Sequence, residues 1–332
     1  MNLKLFIKTL IFFFMPFFYF ESSAKIIIKF SHVVAEDTPK GKAALKFKNL
    51  AESLTNGQVE IKIYPNSSLY KDKEELEAIQ LGAVHMLAPS MAKFGTLGIK
   101  EFEIFDLPYL FSDRKDLIKI TQGEIGLRLL NNMKPKGIIG LAYWDNGFKV
   151  MSSNRPMRKP FDLKGLKMRI QASKVIDKQM RALKANPQVM AFSEVYQALQ
   201  TKVVDGTENT PSNFYTQKMH EVQKYVTVTN HGYIGYVVIV NKKFWENLPF
   251  DIRIKLDQAI KEATKYANEI AEKENLDALN AVKGSSKTEV YYLKKDEKEQ
   301  WKKALSEVKI LMHKRIGKDL INEVLKTISS IP

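Results

Sequence analysis

Cysteine is absent from all 332 residues. That excludes disulfides, thiolate nucleophiles, cysteine-ligated metal sites and lipid attachment at a cysteine. An apolar run of the roughly 20 residues needed to span a bilayer is also missing. The five histidines (His32, His85, His220, His231 and His313) have no metal-ligand spacing. No phosphate-binding glycine loop, GxGxxG, GxSxG or HExxH occurs, and neither does a tandem repeat or a low-complexity linker. Two acidic groups, Glu74, Glu75 and Glu77 and then Glu101, Glu103 and Asp106, read as solvated helix and loop faces rather than acid/base pairs. No enzyme chemistry, cofactor or metal is expected.

Positive charge is in excess, at +15. Such a balance suits nucleic acid, an anionic membrane or small anions. The lysines are spread along the chain, many beside acidic residues as in KDKEELE and KDEKEQWKK, so most read as a solvated face. There is no concentrated basic arm and no interleaved aromatic platform, so no nucleic-acid partner is expected. Residues 1–24 read as a signal peptide. Lys4 and Lys8 form a basic start, Thr9 to Phe20 is an apolar stretch, and Ser22-Ser23-Ala24 places small residues before a cleavage at Lys25. An exported, soluble protein is therefore expected.

Residues 25–332 are long enough for two separate cores. KIIIKF (25–30) reads as a buried strand and 42–54 as a helix with Ala44, Phe47, Leu50 and Leu54 on one face. A strand over 59–64, a helix over 72–82 and a strand over 84–88 continue an alternation that indicates a mostly parallel sheet, with ligands at the carboxyl ends of its strands. Ile138 to Tyr143 is a further strand. A second unit then reads as strands at 148–152, 166–171 and 188–190, with helices over 173–183, 193–201 and 211–220. Tyr233 to Asn241 is a strand long enough to pass between domains. Asp251 to Lys283 reads as one helix with Ile254, Ile260, Ala263, Ala267 and Ile270 on one face. At about 50 Å it would exceed a single domain. A strand over 288–293 and two helices follow.

The most informative stretch runs from Asp162 to Tyr215: DLKGLKMRIQ, then MAFSEVYQALQTKVVDGTENTPSNFY. It sets Arg169 inside an apolar strand of Leu166, Met168 and Ile170. A guanidinium there is costly unless an anion meets it. Glu194 or Glu208 could supply that anion internally; a bound ligand could do so instead.

This stretch resembles the core signature of the solute-binding subunits of tripartite ATP-independent periplasmic (TRAP) transporters of the DctP type. The resemblance runs from FSHVVAEDTPKGKAA to VNKKFWENLP and the long helix. It implies an α/β, two-lobed periplasmic binding protein. Each lobe would be a mixed, mostly parallel sheet flanked by helices, and the long helix would span both. The division expected is 25–147 with 236–274 for the first lobe, and 148–235 with 275–332 for the second.

The resemblance also implies roles. Arg169 would hold a ligand carboxylate, a task its planar fork suits and lysine cannot match. Asn209 would donate to the same carboxylate, although Thr210 stands where the family has proline, and an Asx turn is the other reading. Lys149 stands where many members carry a second arginine, and Phe192 matches an aromatic that packs on the ligand. By position, Lys40 in the loop after the first strand would meet a distal carboxylate, and Ser90 would donate after the VHMLA strand. His32, Asn213 and Tyr236 complete the candidates.

The function expected is capture of a small organic anion by lobe closure and delivery to a permease of one small and one large membrane subunit, with the protein itself a monomer. Three cations near one cleft suit a C4-dicarboxylate such as succinate, fumarate or malate. A ligand-presenting component for a sensor kinase, or a secreted enzyme on an anionic substrate, are the alternatives.

Overall fold

The computed structural model describes residues 25–330, so the signal-peptide expectation lies outside the described residues. Two sheets form, each with an apolar cluster of its own. A third, larger cluster runs continuously from the first lobe through Met151, Met168 and Val175 of the second to Trp301 and Ile321, so the cores expected to be separate are joined. The first has strand order β2-β1-β3-β10-β4, where β1 is Ile26–Ser31, β2 Val59–Tyr64, β3 Met86–Leu87, β4 Ile138–Phe148 and β10 Tyr233–Asn241. Strand β1 runs parallel to β2 and β3, and β10 is antiparallel to β3 and β4. The second sheet has order β11-β9-β5-β8-β6-β7. Its members are β5 Val150–Ser153, β6 Lys167–Ile170, β7 Asn186–Val189, β8 Gly206–Asn209, β9 Tyr225–Val228 and β11 Glu289–Tyr292. Three of its neighbour pairs are parallel and two, both made by β5, are antiparallel.

The helix Phe250–Gly284 joins the two lobes. Its first half packs Ile252, Leu256, Ile260, Ala263 and Ala267 into the core of the first sheet. Its last turns place Leu279 and Val282 in the core of the second. The buried stripe is small-residue rich, which lets the helix lie close on β4 and on the helix Pro39–Leu54. Ile254, expected on this face, is half exposed, because the stripe that fits the sheet starts at Ile252.

Besides the long helix and the closing helices, the chain passes between lobes at two adjacent points. Strand β4 ends at Phe148 and β5 starts at Val150. The return is made in the loop before Tyr233, not within the strand Tyr233–Asn241 as the sequence suggested, since all of that strand pairs with β4. The two crossings are tied together: Lys149 N–H donates to Gly232 O (2.9 Å) and Asn230 N–H to Lys149 O (3.1 Å). Beside them, Asn275 of the long helix donates to Asn146 O and accepts from Ser212 N–H (3.0 Å). Gly147 is required here. Its φ is +149°, and a Cβ would come within 2.7 Å of the Asn275 amide.

Several sequence expectations shift in extent. The strand expected over 84–88 narrows to two residues, and the helix expected over 211–220 ends at Thr216. The acidic groups expected to be solvated are partly buried, for a reason no local pattern shows. Glu75 meets Lys93, Glu103 meets Arg315, and Asp106 accepts from Ser173 Oγ (2.7 Å). Burial raises the Asp106 carboxyl to about 7. The closing helices pack on both lobes: 295–311 lies against the helix 174–182, whereas 313–329 lies against 100–106 and 114–121.

Candidate functional site

Between the lobes lies a cleft lined by Val33, Val34, Lys40, Asp72, Ser90, Lys93, Arg169, Gln171, Phe192, Asn209, Asn213, Ile234 and Tyr236. Strand ends deliver most of these groups. Arg169 and Gln171 come from the end of β6, Asn209 from the end of β8, and Ser90 from just beyond β3. The cleft is nearly shut, with about 20 Å³ of free space, close to the room one water needs.

Arg169 is fully buried, yet it forms no ion pair among the described residues. Its Nε and Nη2 both donate to Met190 O, at 3.0 and 2.9 Å, which fixes the plane of the guanidinium. Its guanidinium carbon sits 5.6 Å from the centre of the Phe192 ring. Burial pulls its pKa down, and the charges of Asp72 and Glu208 oppose that pull. The two internal partners considered from sequence are committed elsewhere. Glu194 meets Lys71 at 3.0 Å, and Glu208 meets Lys149 at 2.9 Å.

Asn209 Oδ1 accepts from Thr210 N–H (2.9 Å) and from Asn213 Nδ2 (3.0 Å). The first of these bonds is to the next residue, one short of an Asx turn, and no side chain caps the helix Pro211–Thr216, so the capping reading does not hold. Both bonds fall on the oxygen, which leaves the Asn209 amide nitrogen without a partner among the described residues. Asn213 Nδ2 also donates to Tyr236 Oη across the lobes at 3.0 Å. Lys40 is not in a loop but in the first turn of the helix Pro39–Leu54, capped by Thr38 Oγ1, which accepts from Gly41 N–H (3.1 Å). Its Nζ donates to Ala88 O (3.0 Å) and lies 3.8 Å from the centre of the Tyr236 ring. Burial pulls the Lys40 ammonium down to about 7, with Lys93 adding repulsion while Glu75 and Asp72 oppose it.

Two expected residues do not line the cleft. Lys149 is fully buried and bonded to both Glu208 oxygens (3.0 and 2.9 Å), so its role is corrected from ligand contact to an internal ion pair. His231 completes that cluster: its Nε2 is 3.1 Å from Glu208 and its Nδ1 2.7 Å from Thr229 Oγ1. Burial holds His231 below its ordinary pKa, and a neutral ring protonated at Nε2 satisfies both neighbours. His32 lies behind the cleft, edge-on to Phe30, and burial with Lys40 repulsion lowers it to about 3.

Sequence reasoning missed Asp72, Lys93 and Gln171. Lys93 is buried and bridges Asp72 and Glu75. Burial opposes its charge, but the two carboxylates hold its pKa up. Burial raises Glu75. It also acts to raise Asp72, but Lys93 and Arg169 outweigh it and keep that carboxyl well below the usual range. The available signal was position: Lys93 stands three residues after Ser90, at the carboxyl end of β3.

Comparison with known proteins identifies the family and the fold. The family model described as "Bacterial extracellular solute-binding protein, family 7" (DctP) matches residues 30–313. The C4-dicarboxylate-binding periplasmic protein DctP of Rhodobacter capsulatus is 62% identical over 299 residues, 90% of each chain. The C4-dicarboxylate-binding protein DctB of Bacillus subtilis is 42% identical, over 91% of this chain and 86% of its own. A TRAP periplasmic solute-binding protein from Shewanella oneidensis, solved with bound succinate, superposes with a TM-score of 0.90 at 41% identity, over 92% of this chain and all of its own. One from Pseudomonas aeruginosa with bound L-malate gives 0.84 at 40% identity, over 86% and 99%. The chain belongs to the DctP family of extracellular solute-binding proteins, the binding subunits of TRAP transporters.

Proposed function

We propose that this protein captures a C4-dicarboxylate such as succinate, fumarate or malate in the interlobe cleft and delivers it to a TRAP permease. The observation that carries the reading is Arg169: buried, held flat by Met190 O, and with no carboxylate at ion-pair distance among the described residues, Asp72 being committed to Lys93. Asn209 stands beside it for the same carboxylate, and Lys40 with Ser90 stands on the first lobe for the other. The names and bound ligands of the relatives support this assignment. The nearly filled cleft supports a closing motion about the crossings at Gly147 and the loop before Tyr233. The lobes would then divide as 25–148 with 233–274 and 149–232 with 275–330, moving the second boundary from the expected 236 to the loop before Tyr233, and the helices 313–329 brace the first lobe from the second. Closure removes the ligand from water and strengthens each ion pair. Among the described residues no helix is long and apolar enough to cross a membrane. The protein would act as a periplasmic monomer after removal of residues 1–24.

A thermal-shift screen over C3 to C6 mono- and dicarboxylates tests the reading. Ligand at a hundredfold excess over Kd should stabilise the fold by about 2.7 kcal/mol. Stabilisation by the C4-dicarboxylates is expected; a response only to monocarboxylates would overturn the proposal.

Lys40 gives a sharper prediction. Its free-state pKa is about 7, and a carboxylate beside it would raise that value. The complex then holds more protons than the free protein above pH 7, so succinate affinity should fall as pH rises from 7 toward 9. Calorimetry in buffers of different ionisation enthalpy should show proton uptake at pH 8, and Lys40→Met should abolish it. The same variant should weaken succinate more than a monocarboxylate of similar length, because only the dianion loses an ion pair. Equal losses for both would make Lys40 a packing residue.

A further inference from the structure

Asp72 is the residue that the ligand-binding reading leaves unexplained. An anion site gains nothing from a carboxylate that lines it, and this one is charged, since Lys93 and Arg169 lie beside it. Its contacts indicate another task. Asp72 belongs to the first lobe, in the segment before the helix Glu75–Gln80. Its Oδ1 is bound by Lys93 Nζ, and Lys93 is itself anchored by Glu75. Its Oδ2 accepts from the backbone N–H of Phe192 in the second lobe at 2.7 Å. Next to it, Lys71 pairs with Glu194 across the same gap at 3.0 Å, with both side chains about half exposed. Asp72 also stands at a partition. Asp72, Lys93, Arg169 and Gln171 line both the nearly filled cleft and a second cavity of about 200 Å³ beside it.

We propose that Asp72 is the closure latch: a first-lobe carboxylate, preset by Lys93, that locks onto Phe192 N–H of the second lobe and controls ligand release. The inference rests on the binding reading above. The contact joins the lobes at the segment that carries Phe192, the ring next to Arg169, so the latch closes where the ligand's carboxylate is held. Lys93 keeps the latch residue oriented and compensates its charge. Without that cation, the carboxylate would repel the bound dianion directly. Two states follow. In the open state Asp72 stays with Lys93 on the first lobe. In the closed state it gains Phe192 N–H and walls off the ligand from the neighbouring cavity.

The sign of the effect separates a latch from a spectator. A carboxylate that merely sits near Arg169 repels the ligand, so its removal would tighten binding. A latch residue, once removed, releases the ligand faster. The chain has no cysteine, so dyes can be placed specifically at Lys62→Cys and Gln200→Cys, one exposed site on each lobe. Rapid-mixing fluorescence transfer then reads closing and opening directly. Asp72→Ala should release succinate and L-malate alike at least about tenfold faster, with association changed far less, and should lower the closed population at saturating ligand. Asp72→Asn keeps an acceptor oxygen for Phe192 and an isosteric fit, so it should fall between wild type and alanine. It also provides the measurement if the alanine variant does not fold. Release at the wild-type rate, slower release, or a loss confined to one of the two ligands would overturn the latch. Absence of succinate binding by the wild type would instead refute the binding reading, so the two failures are distinguishable.

Discussion

Arg169→Lys is expected to weaken succinate binding by about 2–4 kcal/mol, although the charge is conserved. The geometry explains why. Two of the guanidinium nitrogens are committed to Met190 O, and this clamp aims the remaining donors into the cleft. A lysine ammonium is a single point with no plane for the carbonyl to fix. It cannot satisfy Met190 O and both ligand oxygens together, so one buried acceptor is left unpaired. It also loses the flat face that lies near the Phe192 ring. Titration calorimetry at pH 7 reads the effect. The ligand-free melting temperature should change little, because Arg169 makes no ion pair that the fold depends on. Affinity within about threefold of wild type, a difference under 1 kcal/mol, would contradict the anchor assignment.

The second large effect concerns stability. Glu208→Gln should cost about 3–5 kcal/mol, because it leaves the Lys149 ammonium buried without a counter-charge. Glu208, Lys149 and His231 are all fully buried, so water cannot take over. Lys149 and Burial-driven neutral His231 share one carboxylate, whose pKa Lys149 and His231 hold low against the burial that would raise it. Folded-state ionisation therefore contributes stability above the usual glutamate range and loses it as pH falls through the depressed value. The double variant Lys149→Met with Glu208→Gln should recover most of the loss, since no unpaired charge remains and His231 can still donate to the amide oxygen. Thermal and denaturant unfolding would read this cycle. If the double variant is as unstable as the single one, the pair is not what holds the lobe crossing. The double variant should also keep succinate affinity within a few-fold, because Lys149 does not line the cleft.

The fold was legible where periodicity is strong. The strands at 26–31, 59–64 and 167–170 and the long helix stand where the apolar spacing put them. The crossing between lobes was less so. A nine-residue apolar strand looks the same whether it spans two lobes or lies wholly in one, and only pairing with β4 decides it. In the site, Arg169 stood out because a cation in an apolar strand is anomalous. Lys40, Ser90, Phe192, Asn209, Asn213 and Tyr236 are also brought to the cleft. Asp72 and Lys93 stayed hidden for the opposite reason. KDKEELE has the composition of a solvated helix face, and nothing local shows that Asp72 and Glu75 turn inward to a lysine eighteen residues past Glu75. Lys149 misled for a related reason: its partner, Glu208, is 59 residues away, so the sequence shows a cation at a strand end and not the carboxylate that neutralises it.

The central claim is that Arg169 and Lys40, on opposite lobes, read the two carboxylates of one small acid. Calorimetric titration of the wild type with succinate and with its monoamide, succinamate, tests it most directly, because the amide keeps the size and shape of the acid while removing one charge and turning one acceptor into a donor. Succinate should bind at least about tenfold more tightly, a difference of roughly 1.4 kcal/mol or more, and the gap should close in Lys40→Met. Equal affinity for the two in the wild type would contradict the account.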